Sequence, residues 1–277
     1  MDIQQDDMNS HFEQFWNSVR EKLIFKDRGM TYRFLKAFDF DAAQASEHLI
    51  KADLRRPINT PNIRLTPKQQ QFIESSLISK VVGTTKTGEP ILFIKVLNTD
   101  VSTFRELFDQ KTSINMIRGF MEYAARDLLP DASKQANREI FHLSIAVDLK
   151  GLNIASIIKN PRMLLFARDY ASIVSNDYPE LADRILVFNA GMLATAAFTV
   201  FSPLFPTNMT RLVRCFKAEP PVEEFDFIPK EVLPSEYTGN FRGSLIDIPE
   251  PKWLKPNWFF KRVGARPHSE PPFEGGN

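Results

Sequence analysis

Cysteine is nearly absent from these 277 residues: Cys215 is the only one, so no disulfide framework and no cysteine-based metal site can form within the chain. A reducing, cytosolic setting follows as the expectation. Net charge is also scarce, at +1 from 35 basic and 34 acidic side chains. Without a global positive field, phosphate-backbone binding is a poor reading and no nucleic-acid partner is expected. The four histidines, His11, His48, His142 and His268, are isolated from one another and show no metal-ligand spacing. Nucleotide-binding glycine loops and the G-x-S-x-G elbow are missing too, and "GTTKTG" has the wrong spacing and reads as a hairpin turn. The opening "MDIQQDDMNS" is acidic and polar, the reverse of a secretory signal, which makes the "NMT" at Asn208 a chance match to the glycosylation pattern.

What is present is an ordinary apolar share of 43%, 25% charged residues, and 24 phenylalanines. These suit a large apolar interior in a soluble, globular chain. One stretch, Ile185 to Thr210, carries no formal charge and lies between Arg184 and Arg211. A membrane-spanning helix needs about 20 continuous apolar residues. Here Asn189 and Gly191 break the run early and Pro203 and Pro206 break it late. The run therefore divides into a strand, "RILVFN", and a short helix, "ATAAFTVFSPLF".

Residues 1–57 read as a helical module. Ser10 and Glu13 match a capping box ahead of Phe12, Phe15, Trp16, Val19 and Leu23 at helical spacing. "TYRFLKAF" makes a second helix, and Asp41 caps a third that runs to Pro57. "RRPINTPNIRLTP" is a proline-rich connector. Strands and helices then alternate. The hairpin "SKVVGTTKTGEPILFIKVL" precedes helices "STFRELFDQ" and "INMIRGFMEYAARDLL", a strand "EIFHLSIAVDL", a helix over 161–174, and strands "RILVFNA" and "RLVRCF". This order predicts an α/β domain with a largely parallel sheet over 68–243, followed by a proline-rich tail over 244–277.

Candidate catalytic groups are few. Asp148, at a strand end, suits a catalytic carboxylate or a cap for the turn "DLKG". His142, inside an apolar strand, suits a base or a hydrogen-bonded core residue. Neither has an evident partner, so no catalytic residue is assigned and an enzyme is not the expectation. In the tail, "PKWLKPNWFFKRVGAR" interleaves Trp253, Trp258, Phe259 and Phe260 with Lys252, Lys255, Lys261 and Arg262. That mixture suits either a membrane–water interface or anchoring of the tail on the domain.

A series of segments then resembles one family. "RFLKAFDFDAAQASEHLIKADLRRP" is similar to the N-terminal helices of CRAL-TRIO proteins, and "KTGEPILF" to their D-G-R-P-V hairpin. "VDLKG", "NDYPELADRILVFNAG", "FSPLFPTNMTRLV" and "PKEVLPSEYTGN" follow in the family's order, over roughly residues 30–243. The resemblance implies an α/β fold with a deep apolar lipid cavity, and no cofactor beyond a bound lipid. It implies a gate helix carrying Phe198, Val200, Phe201, Leu204 and Phe205, and a headgroup site at Glu180 of "YPEL" and Arg211 of "NMTRLV". Two departures stand out. Phe38 and Asp39 occupy the family's basic pair, though Lys36 lies a turn away, and the aligned phosphatidylcholine positions are the apolar Val81, Leu92, Leu143 and Ile145, expected here as cavity lining. The implied ligand is a phosphatidylinositol-type lipid, or a more apolar sterol, retinoid or tocopherol. The implied protein is a monomeric lipid carrier that touches membranes transiently, or a lipid-gated interaction module that transfers nothing.

Overall fold

The computed structural model describes residues 3–56, 65–98, 100–153, 161–192, 210–249 and 251–252. Three helices open it: α1 Ile3–Val19, α2 Arg28–Ala37 and α3 Ala42–Arg55. Ser10 lies inside α1 rather than capping it, because the helix starts a full two turns earlier than the Ser10–Glu13 pattern implies. The other two starts are built as expected, with Asp27 accepting from the Met30 amide and Asp41 from those of Ala43 and Gln44. Phe12, Phe15, Val19, Phe34 and Leu49 form the apolar centre of this module.

A helix that the connector reading omitted comes next, α4 Pro67–Ser76. Thr66 and Gln69 form a reciprocal capping box around Pro67, a combination that favours a helix start despite the neighbouring prolines. The remaining elements are β1 Leu77–Thr84, β2 Pro90–Val96, α5 Val101–Leu107, α6 Gln110–Tyr123, α7 Leu129–Ala136, β3 Leu143–Asp148, α8 Pro161–Asp177, β4 Ala182–Phe188 and β5 Val213–Cys215. One π-turn, Ala124–Leu128, joins α6 to α7. The sheet order is β1-β2-β3-β4-β5, with β1 antiparallel to β2 and all later pairs parallel, as the alternation of strands and helices requires. Strand β3 begins at Leu143, later than its apolar run suggests, and the "VEEFDFI" piece is a single short turn over Val222–Phe225.

Alternation sends successive side chains of each strand to opposite faces. Ile91, Phe93, Ala146, Leu186 and Phe188 pack on one face against Phe225, Phe227, Ile228 and Tyr237 of the strap that follows β5. Leu92, Leu143 and their neighbours point the other way, toward α6 and α8. Two glycines make the strap and strand ends fit. A Cβ at Gly151 would fall 2.1 Å from the Leu97 carbonyl oxygen, and one at Gly239 would fall 1.8 Å from that of Leu233. Tyr237 then donates to Asp148 Oδ2 at 2.7 Å, tying the two glycine-bearing turns together. Among the described residues no helix is long and apolar enough to cross a membrane.

Candidate functional site

Between the second sheet face and its helices lies a cavity of about 770 Å³. Its floor is the inner face of the strands: Leu77 and Ser79, Leu92 and Ile94, Leu143 and Ile145, then Ala182 and Ile185. Met116, Ile117 and Phe120 of α6 and Tyr170 and Val174 of α8 cover it, while α4 closes one side with Phe72 and Ile73. The N-terminal module supplies wall as well, through Phe34, Ala37, Phe38 and His48. The Phe38 and His48 rings lie 4.5 Å apart with a 30° tilt. A space of this size and apolar lining admits a chain-bearing or ring-bearing ligand, with binding driven by removal of its apolar surface from water.

Charge enters the described wall at one residue. Glu180 is its only carboxylate, and no lysine or arginine lines it. The Glu180 side chain is 1% exposed, with Lys36 Nζ at 3.3 Å and Arg211 Nη2 at 3.8 Å. Both cations reach outward, with Arg211 54% and Lys36 28% exposed, so the three charges run from cavity wall to solvent. The backbone of Glu180 has φ +52°, a left-handed conformation unusual for a non-glycine residue. Its carbonyl oxygen accepts from His142 Nδ1 at 2.8 Å. Desolvation lowers the His142 pKa to about 4, with the positive charge of Lys36 acting in the same direction. The ring is therefore neutral near pH 7, its proton held on Nδ1 by the carbonyl.

The expected site residues fall as follows. Glu180 and Arg211 are brought together. Leu92, Leu143 and Ile145 are in the cavity wall. Val81 is not among the lining residues. It is 1% exposed and packed within the adjacent apolar cluster, since the irregular pairing between Val81 and Gly83 ends the regular floor there. Phe198, Val200, Phe201, Leu204 and Phe205 lie outside the described residues, as does the aromatic and basic tail from Trp253 onward. Asp148 takes the turn-capping role: Oδ1 accepts from the Lys150 amide and Asn189 Nδ2, Oδ2 accepts from Tyr237, and the residue lies outside the cavity wall. Lys36, His48 and the α4 side chains were not assigned to the site from sequence. The Thr66-Pro67-x-Gln69 start of α4 was the legible signal, whereas the approach of Lys36 to Glu180 spans 144 positions and leaves no local mark.

Comparison with known proteins agrees with this geometry. The model of the family described as CRAL/TRIO domain matches residues 75–239, more than half of the chain. The SEC14 cytosolic factor of Eremothecium gossypii is 24% identical over 77% of this chain and 69% of its own length. Protein real-time of Aedes aegypti is 24% identical over 87% of this chain, which spans only 37% of that longer protein. In three dimensions the chain is similar to the crystal structure of Sfh5, with TM-score 0.64 and 14% identity over 93% of this chain and 96% of that one, a likeness of fold. The family match, the sheet with its helical module and the apolar cavity agree: the chain belongs to the CRAL/TRIO family of lipid-binding domains.

Proposed function

We propose that this protein is a lipid carrier that takes one lipid from a membrane, holds its apolar part in the cavity and delivers it to another membrane. The observation that carries this reading is the wall itself: mostly apolar, with Glu180 as its one carboxylate, which two solvent-reaching cations bracket. The favoured ligand is a phosphatidylinositol-type phospholipid. A buried carboxylate accepts hydrogen bonds from ring hydroxyls, and Arg211 and Lys36 suit the phosphate. Lys36 supplies from α2 the positive charge that Phe38 and Asp39 do not. A second reading, a more apolar ring-bearing ligand such as a sterol or tocopherol, draws on the tilted Phe38–His48 ring pair in the wall.

The test is to incubate the purified chain with mixed vesicles, re-isolate it, and identify the captured lipid by mass spectrometry. Phosphatidylinositol should be enriched over phosphatidylcholine, and Glu180→Gln or Arg211→Ala should each reduce that enrichment about 10-fold or more, the worth of a charge-assisted hydrogen bond. Capture of a sterol alone would favour the second reading. A chain that never carries lipid would overturn both.

A further inference from the structure

Glu180 cannot hold its place unaided. Its left-handed backbone is an unfavourable conformation for a residue with a Cβ, and such conformations persist only where surrounding contacts impose them. Those contacts come from far along the chain. Arg55, the last residue of α3, donates from Nε to Asp177 Oδ1 at 2.8 Å and from Nη2 to the Asn176 carbonyl at 3.0 Å. Its neighbour Arg56 forks onto Glu122 of α6, with Nε to Oε1 at 2.7 Å and Nη2 to Oε2 at 2.9 Å. The Tyr178 hydroxyl donates to the same Oε1 at 2.6 Å. Side-chain exposure is 1% for Arg56 and 0% for Glu122.

Three successive residues, Asn176 and Asp177 at the end of α8 and Tyr178 just after it, are thus gripped by an arginine pair of the N-terminal module or by the carboxylate it holds. Pro179 transmits the grip. Proline fixes its own φ and disfavours helical backbone at the residue before it, so the link between the anchored Tyr178 and Glu180 is stiffer than an ordinary dipeptide. The module touches Glu180 directly as well, through Lys36. A buried Arg–Glu pair adds little stability compared with apolar side chains of equal volume, so its contribution here is orientation.

We infer that Arg55, Arg56 and Tyr178 are positioning residues: through the end of α8 and the turn 178–180 they aim the Glu180 carboxylate at the ligand's polar head, so the N-terminal helices set headgroup selectivity beyond their own contact with the cavity. This rests on the headgroup reading above. None of the three residues lines the cavity, so their effect reaches the ligand through the neighbouring residues that do, Asn176, Pro179 and Glu180, of which Glu180 alone is charged.

The experiment uses the full chain and phosphatidylcholine vesicles containing equal phosphatidylinositol and diacylglycerol, which have similar apolar parts and differ in the head. The readout is the ratio of the two captured lipids and, separately, their sum. Tyr178→Phe removes one hydroxyl and keeps the ring. It should lower the ratio about fivefold while leaving the sum unchanged, and Arg55→Lys, which keeps the charge and loses the fork, should act in the same direction. In a Glu180→Gln background Tyr178→Phe should have no further effect, because two steps on one route are not additive. A ratio lost in Glu180→Gln but kept in Tyr178→Phe and Arg55→Lys overturns the inference alone. So does an equal fall in both lipids, or additive losses in the double variant. A wild-type chain without the preference, or Glu180→Gln retaining it, overturns the headgroup reading and the inference with it.

Discussion

The two faces of the central sheet are made of the same residue types and have different contents. On β2, Ile91 and Phe93 face a solid layer, while Leu92 and Ile94 face a cavity of about 770 Å³. The difference lies in what covers them. Behind the sheet, a strap without long helices lays Phe225, Phe227 and Tyr237 onto the strands, and the Phe188 and Phe225 rings meet edge to face at 5.3 Å. In front, the rigid rods α6 and α8 stand on the sheet and leave the room between them unfilled. An irregular strap can follow the contour of a sheet, whereas straight helices cannot, so one sheet carries a structural core on one side and a container on the other.

That contrast predicts unequal responses to the same kind of damage. Phe188→Ala empties a site that close neighbours already fill, and should cost about 3–5 kcal/mol in denaturant unfolding. Ile145→Ala removes a side chain that already borders open space, and should cost less than about 2 kcal/mol, because few packing partners are lost. Equal costs would mean that the two faces are packed alike. The reverse operation sharpens the comparison at a smaller scale. Ile91→Trp forces extra volume into the solid face and should destabilise the fold by about 1–3 kcal/mol. Leu92→Trp, on the adjacent residue, has room to turn into the cavity. It should leave the melting temperature nearly unchanged and abolish lipid capture.

This symmetry of composition explains what could be read from the sequence. The strands, the largely parallel sheet and the helical module were legible because periodicity and capping are local, as in Asp41 ahead of α3 and the alternation of β2. The resemblance marked "DLKG", "YPEL" and "SEYTGN", and two of these are structural pins. Gly151 and Gly239 sit where no Cβ fits, and Tyr237 ties Asp148 to the strap. The same resemblance singled out Glu180 and Arg211, which the fold brings within 3.8 Å of each other. The extent of the cavity was not, since Leu92 and Ile91 look alike in sequence, and Val81 lies in packed core where lining was expected. The links from Arg55, Arg56 and Lys36 to the turn before β4 or to α6 join positions 66 to 144 residues apart, and their charges look like an ordinary solvated helix face.

The smallest predicted effect concerns the cavity side alone and depends on pH. His142 titrates at about 4 in the folded chain against an ordinary value of 6.5, chiefly through desolvation. Its folded pKa is lowered, so between those two values the unfolded chain binds a proton that the folded chain refuses. Stability is therefore fully present above about pH 6.5 and is lost as pH falls toward 4. The full slope for one such group is about 1.4 kcal/mol per pH unit, and a partly exposed ring realises a fraction of it. Unfolding midpoints measured from pH 7 to 5 should fall by the equivalent of about 1 kcal/mol. His142→Asn offers an amide donor to the Glu180 carbonyl without a titrating ring, and should flatten that portion of the profile. Among the described residues the packed strap face contributes no histidine, so Tyr237→Phe should lower stability by a constant amount across the same range. A pH slope that survives His142→Asn would place the sensitive group elsewhere than beside Glu180.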